Sequence, residues 1–131
     1  MTTAVDLLAA ISAHLAEFEL PPIDSVQVVA AMTAPQVTVQ LACHNLGDTA
    51  RELLAWSDTL SEVVAEAWRV PQGDSVHLSV TGLLPGAASV RIYSGLPVTD
   101  CALGADLAPG ATTTIALTML RHAATIQEAR A

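Results

Sequence analysis

Thr49–Arg69, TARELLAWSDTLSEVVAEAWR, is the stretch on which the fold turns. Thr49 and Glu52 stand at the spacing of a capping box, in which hydroxyl and carboxylate reciprocally satisfy the free N–H groups of a helix start. Wound at about 100° per residue, Leu53, Trp56, Leu60, Val63, Val64, Ala67 and Trp68 share one side. Arg51, Glu52, Asp58, Glu62, Glu66 and Arg69 share the other. The spacing predicts a single long amphipathic helix, opened after Asn45-Leu46-Gly47-Asp48 and ended by Pro71 and Gly73. Such a rod needs an apolar surface to lie on.

The flanking segments supply it. Upstream, Asp24–Met32 is rich in β-branched residues, Thr33-Ala34-Pro35 forms a turn, and Gln36–His44 alternates. Val37, Val39, Leu41 and Cys43 point one way and Thr38, Gln40, Ala42 and His44 the other, as the two-residue period of a strand requires. Downstream, Ser75–Leu83 sets Val76, Leu78 and Val80 against His77, Ser79 and Thr81. Leu84-Pro85-Gly86-Ala87 has the Pro-Gly order of a type II turn, and Ser89–Ser94 returns with Val90 and Ile92 opposed to Arg91 and Tyr93. Both pairs read as antiparallel hairpins.

At the N-terminus a helix spans about Thr3–Phe18, with Thr3 as N-cap, Asp6 in the first turn and an apolar stripe of Leu8, Ile11, Leu15 and Phe18. Leu20-Pro21-Pro22 stops it. Gly95–Gly110 reads as loop, Thr112–Ile115 could add a short edge strand, and Leu117 to about Ala129 reads as a last helix, with a strand running on through Thr118 as the competing reading and a tail over 126–131 expected to fray. The fold class is therefore α+β: an antiparallel sheet of two hairpins and a possible fifth strand, packed by two or three helices in the order α-ββ-α-ββ-(β)-α. A chain of 131 residues fits a single domain.

Charge narrows the chemistry. Thirteen Asp and Glu face five Arg and no Lys, for a formal charge of −8. Without Lys there is no phosphate-loop lysine, Schiff base or pyridoxal anchor. Arg51, Arg69, Arg91, Arg121 and Arg130 are scattered, so the clustered cations that direct nucleic-acid binding needs are missing. Cys43 and Cys101 lie in no CxxC or Cys/His ligand spacing and read as two reduced thiols rather than a disulfide. The first residues lack a basic region, and Asp6, His14 and Glu17 interrupt their apolar run. This fits neither signal peptide nor membrane span and leads us to expect a cytoplasmic protein.

The candidate surface is the polar side of the sheet: Gln27, Thr38, Gln40, His44, His77, Ser79, Thr81, Arg91 and Tyr93. It could hydrogen-bond an anionic or amide-bearing ligand, serve as an interface, or simply be the solvated face of a sheet. Trp68, near the end of the long helix, reads either as a half-exposed interface anchor or as core. His14, His44, His77 and His122 lack acidic partners at ligand spacing, so no metal is expected. Cys43 and His44, adjacent on a strand, face opposite ways and cannot form a dyad. The carboxylates of the long helix read as a solvated face. No cofactor motif and no GxSxG serine are present.

Two segments, ARELLAWSDTL at 50–60 and SVHLSVTG at 75–82, resemble stretches of small bacterial proteins of GC-rich genomes. Arg in place of Lys and the heavy use of Ala agree with that source. The resemblance implies no function and transfers no site residue. A more distant analogy is to small helix-plus-sheet subunits of phage tails and other ring assemblies. We expect a non-enzymatic protein–protein interaction or regulatory accessory domain. It self-associates through a sheet face or edge strand, with a further protein partner possible and neither nucleic acid nor membrane bound. The alternatives are a small-molecule binding domain or enzyme using the polar face, and a structural subunit of a phage or mobile-element assembly.

Overall fold

The computed structural model describes residues 3–31, 35–42, 45–86 and 88–130, with side chains described as far as 126. It is a mixed α+β fold of three helices and a six-stranded, mostly antiparallel sheet. In chain order the elements are α1 (Ala4–Glu17), β1 (Ile23–Val29), β2 (Gln36–Leu41), α2 (Leu46–Ser57), β3 (Ser61–Arg69), β4 (Ser75–Leu83), β5 (Ser89–Pro97), β6 (Thr112–Ile115) and α3 (Leu117–Arg130).

The 49–69 window is not one helix. Its first part is α2, which starts earlier than predicted and is capped by Asn45, whose side chain accepts the Asp48 N–H at 2.8 Å. Thr49 lies inside the helix, fully buried, so the Thr49–Glu52 capping box does not form. The helix ends at Ser57, where Ser57 Oγ donates to Leu54 O and Thr59 Oγ1 to Trp56 O, each at 2.8 Å, alongside the backbone N–H groups of Asp58 and Thr59. Beyond them Ser61–Arg69 becomes β3, with Ala65 and Ala67 turned inward and Glu66 and Trp68 outward. The same apolar letters satisfy both periods. Two neighbouring strands decide the matter, since β3 lies between β4 and β6 and is hydrogen-bonded on both sides. Trp68 is thus a strand residue, and Asp58, Glu62, Glu66 and Arg69 do not form a helix face. Arg69 instead donates to the carbonyls of Gly73, Ala105 and Leu107, tying the 101–110 loop to the end of β3.

Both predicted antiparallel pairs form: β1 pairs β2 and β4 pairs β5. Val37, Val39, Leu41, Val76, Leu78, Val80, Val90 and Ile92 are buried, while Arg91 and His77 keep partial exposure. The strand order is β1-β2-β5-β4-β3-β6, so the hairpins meet through a parallel pairing of β2 with β5. That pairing arises because α2 carries the chain across the sheet before β3, β4 and β5 return as a meander. The predicted edge strand Thr112–Ile115 is β6, paired with β3.

All three helices share one buried cluster with the inward strand residues, through Leu7 and Ile11 of α1, Leu53 and Trp56 of α2, and Leu120 of α3. Helix α1 begins at the predicted Thr3, in a reciprocal capping box with Asp6. The Thr3 backbone N–H, donating to the carboxylate, and then the Thr3 hydroxyl hold the Asp6 carboxyl below its ordinary range. Its stripe, however, is rotated by one residue: Leu7, Ile11 and His14 are buried and Leu8 is 48% exposed. A histidine occupies this inner face because it is partnered there, as described below.

Candidate functional site

Since the helices join the core on one side, the opposite side of the sheet carries none among the described residues. Cross-strand register puts Gln40, Tyr93, Ser79, Glu66 and Thr114 in one row across this open face. A second row holds Gln27, Thr38, Arg91, Thr81 and Val64, and a third Gly95, His77, Trp68 and Thr112.

Four of these side chains form a contact ladder. The Arg91 guanidinium carbon lies 4.8 Å from the Tyr93 ring centroid. Tyr93 and His77 stack with centroids 5.3 Å apart and planes 17° from parallel. Trp68 meets His77 at 5.1 Å, nearly perpendicular. Register explains the order. Arg91 precedes Tyr93 by two residues, and His77 pairs with Gly95, two residues after it, so the two approach Tyr93 from opposite directions along β5. Gly95 leaves the room: a Cβ there would stand 3.2 Å from His77 Cδ2 and Nε2. Burial in this stack, with the nearby Arg91 charge, pushes the His77 pKa down from its ordinary value.

The arrangement limits the chemistry. Arg91 and His77 occupy the faces of Tyr93 that stacking on a base or sugar would require. Among the described residues, no hydrogen bond joins His77 to a carboxylate or hydroxyl that could complete an acid–base pair, and no three His, Cys, Asp or Glu side chains gather as a metal site would require. What the ladder offers is a preformed, half-buried ridge of Trp, Tyr, His and Arg. Of the sequence candidates, Arg91, Tyr93, His77 and Trp68 touch one after another in that order. Gln40 and Ser79 flank Tyr93 on the neighbouring strands, with Ser79 itself buried. His44 and Cys43 lie outside the described residues. Trp68 belongs here only because β3 is a strand; the alternation of Glu62, Val64, Glu66 and Trp68 is the signal that would have found it.

The helical side holds a feature that sequence reading missed. A cleft of about 690 Å³ opens between the start of α2 (Asn45, Leu46, Gly47), the loop Thr99–Leu103 and one face of α3 (Met119, His122, Ala123, Ile126). None of the sheet-face candidates lines it.

Cys101 is a buried free thiol whose Sγ donates to Leu103 O at 2.9 Å. Burial pushes its pKa up to about 11. No helix of the described residues is long and apolar enough to cross a membrane. No family model, curated protein or solved structure matches the chain, so function is read from these sites alone.

Proposed function

We propose that this chain is a non-enzymatic protein-interaction domain that associates with a second copy of itself through the open sheet face. One observation carries the reading. Two of the chain's four large aromatic residues, Trp68 and Tyr93, stand with Arg91 in a single ladder on the side with no helix. Trp, Tyr and Arg are the residue types in which interface energy concentrates. A chain of so few aromatics would bury them in its core if folding were their main task, as it does with Trp56.

Charge supports a second copy as the partner. The chain carries −8, and two copies repel wherever acidic surfaces meet. Among the residues in cross-strand pairs on the open face, Arg91 and Glu66 are the charged ones, one of each sign. Stable association needs on the order of 1,200 Å² buried in total, which a six-stranded sheet face can supply. A cytoplasmic setting belongs to the same reading.

Sedimentation equilibrium over a wide concentration range tests the proposal. The wild type should sediment as a dimer or larger species. Y93A and W68A, both at half-buried positions, should stay folded and weaken association at least tenfold. A wild type that remains monomeric at high concentration, or variants that associate unchanged, would overturn it.

A further inference from the structure

We propose that the cleft between α2, the 99–103 loop and α3 binds a small amphipathic amine, with its apolar body along α3 and its ammonium group at Asp100. This site is independent of the sheet face.

Three observations converge on it. The volume, about 690 Å³, falls in the range of small-ligand pockets, roughly 300–1,000 Å³. Most of the lining is apolar, and two of its members are large side chains that the fold leaves in water: Met119 is 43% and Ile126 39% exposed. They are seven positions apart on α3, two turns along one face, and so form a continuous strip. Leu46 and Leu103, each partly buried, lie across from them. An unbranched Met at the mouth adapts to varied apolar shapes.

The polar side of the cleft sets the sign of the ligand. Asn45 is already committed, since its side chain caps α2 and its amide donates to Asp48. Among the described residues, the remaining polar side chains at the cleft are Thr99, Asp100 and His122, and Asp100 is the carboxylate among them. Among the described residues, neither Lys nor Arg lines the cleft to hold an anion, and a chain of charge −8 draws cations toward every opening. A hydroxyl and a carboxylate in a lining that is otherwise largely apolar are the complement of an alkyl- or arylalkyl-ammonium ion.

The probes are n-octylamine, n-octanol and n-octanoate, each titrated into the full chain by calorimetry, with binding mapped through the methyl signals of Met119 and Ile126. Octylamine should saturate at one per chain and shift both methyl signals. Octanol should bind more weakly, and octanoate not at all. D100N alters an exposed side chain and leaves the core intact; it should reduce octylamine affinity about fivefold, the scale of a solvent-screened ion pair, while octanol binding is unchanged. M119E should abolish binding of octanol. Equal binding of octylamine to wild type and D100N, or octanoate binding as well as the amine, would overturn the assigned ligand class. Failure of all three probes to shift Met119 and Ile126 would overturn the site.

Discussion

The imidazole of His14 donates its Nε2 proton to Thr59 Oγ1 at 2.8 Å, across 45 positions of sequence. The direction follows from the hydroxyl's other bond: Thr59 Oγ1 gives its own proton to Trp56 O, so toward His14 it can only accept. Nδ1 is then the bare nitrogen, and it is buried without a partner. The ring also packs against Phe18 and, nearly parallel, against Trp56. His14 thereby joins α1 to the end of α2 as a neutral group, and burial lowers its pKa against a smaller opposing effect of Glu17.

Stability should therefore fall on mild acidification. The unfolded chain takes up a proton near the ordinary histidine value of 6.5, where the folded chain does not. The contribution is complete above that pH and is lost progressively as pH drops from it toward the folded value. His77, lowered in the same direction, adds to the effect. Urea midpoints measured at about pH 7 and about pH 5 should differ for the wild type. H14Q retains a donor for Thr59 but does not titrate, and it should show a smaller difference.

Arg91 and Glu66 lie on opposite sides of β4, Arg91 beside Thr81 and Glu66 beside Ser79. A two-fold pairing of open faces about an axis crossing β4 between Ser79 and Thr81 brings each copy's Arg91 to the other's Glu66, twice per dimer. R91E and E66R should each weaken self-association by tenfold or more, about 1.4 kcal/mol. An equimolar mixture of the two variants should recover it, as should the double variant R91E/E66R. Sedimentation of the mixture separates this pairing from any other use of the face.

At Gly82 on β4, an added Cβ would stand 2.9 Å from Leu60 Cβ and 3.1 Å from Ser61 O, where the chain passes from α2 into β3. Neither neighbour is the far end of a flexible side chain. G82A should destabilise the fold by about 1–3 kcal/mol through overpacking, read as a lower urea midpoint with an unchanged slope.

Cys101, with its thiol pushed up to about 11 and its Sγ bonded to Leu103 O, should resist alkylation. Peptide mapping after iodoacetamide at about pH 8 should find Cys101 unmodified in the native chain and modified in urea. Labelling at equal rates in both would contradict the packing of the 101–110 loop.

Local pattern carried far in some parts of this chain and not in others. In β2, β4 and β5 the alternation was clean because each inner residue meets the core and each outer one the open face, so the period alone oriented Val76 against His77 and Val90 against Arg91. The Thr3–Asp6 cap was legible because both of its partners lie within one turn. The same window logic failed over 49–69, where Ala, Glu and Val suit a helical stripe and a half-buried strand alike. It failed again on α1, where Leu7 and His14 displaced Leu8 from the inner face. A buried histidine needs Thr59, and Thr59 is distant in sequence.

By itself, then, the sequence determined the faces of the hairpins, the start of α1 and the absence of lysine chemistry, because each depends on side-chain period, near neighbours or composition. Only tertiary structure decided that Ser61–Arg69 is a strand, that β2 runs beside β5, that Trp68 joins His77, Tyr93 and Arg91, and that a cleft opens beneath α3. Each of these rests on hydrogen bonds and contacts between segments that meet only once the chain has crossed the sheet through α2, and no local window contains both partners.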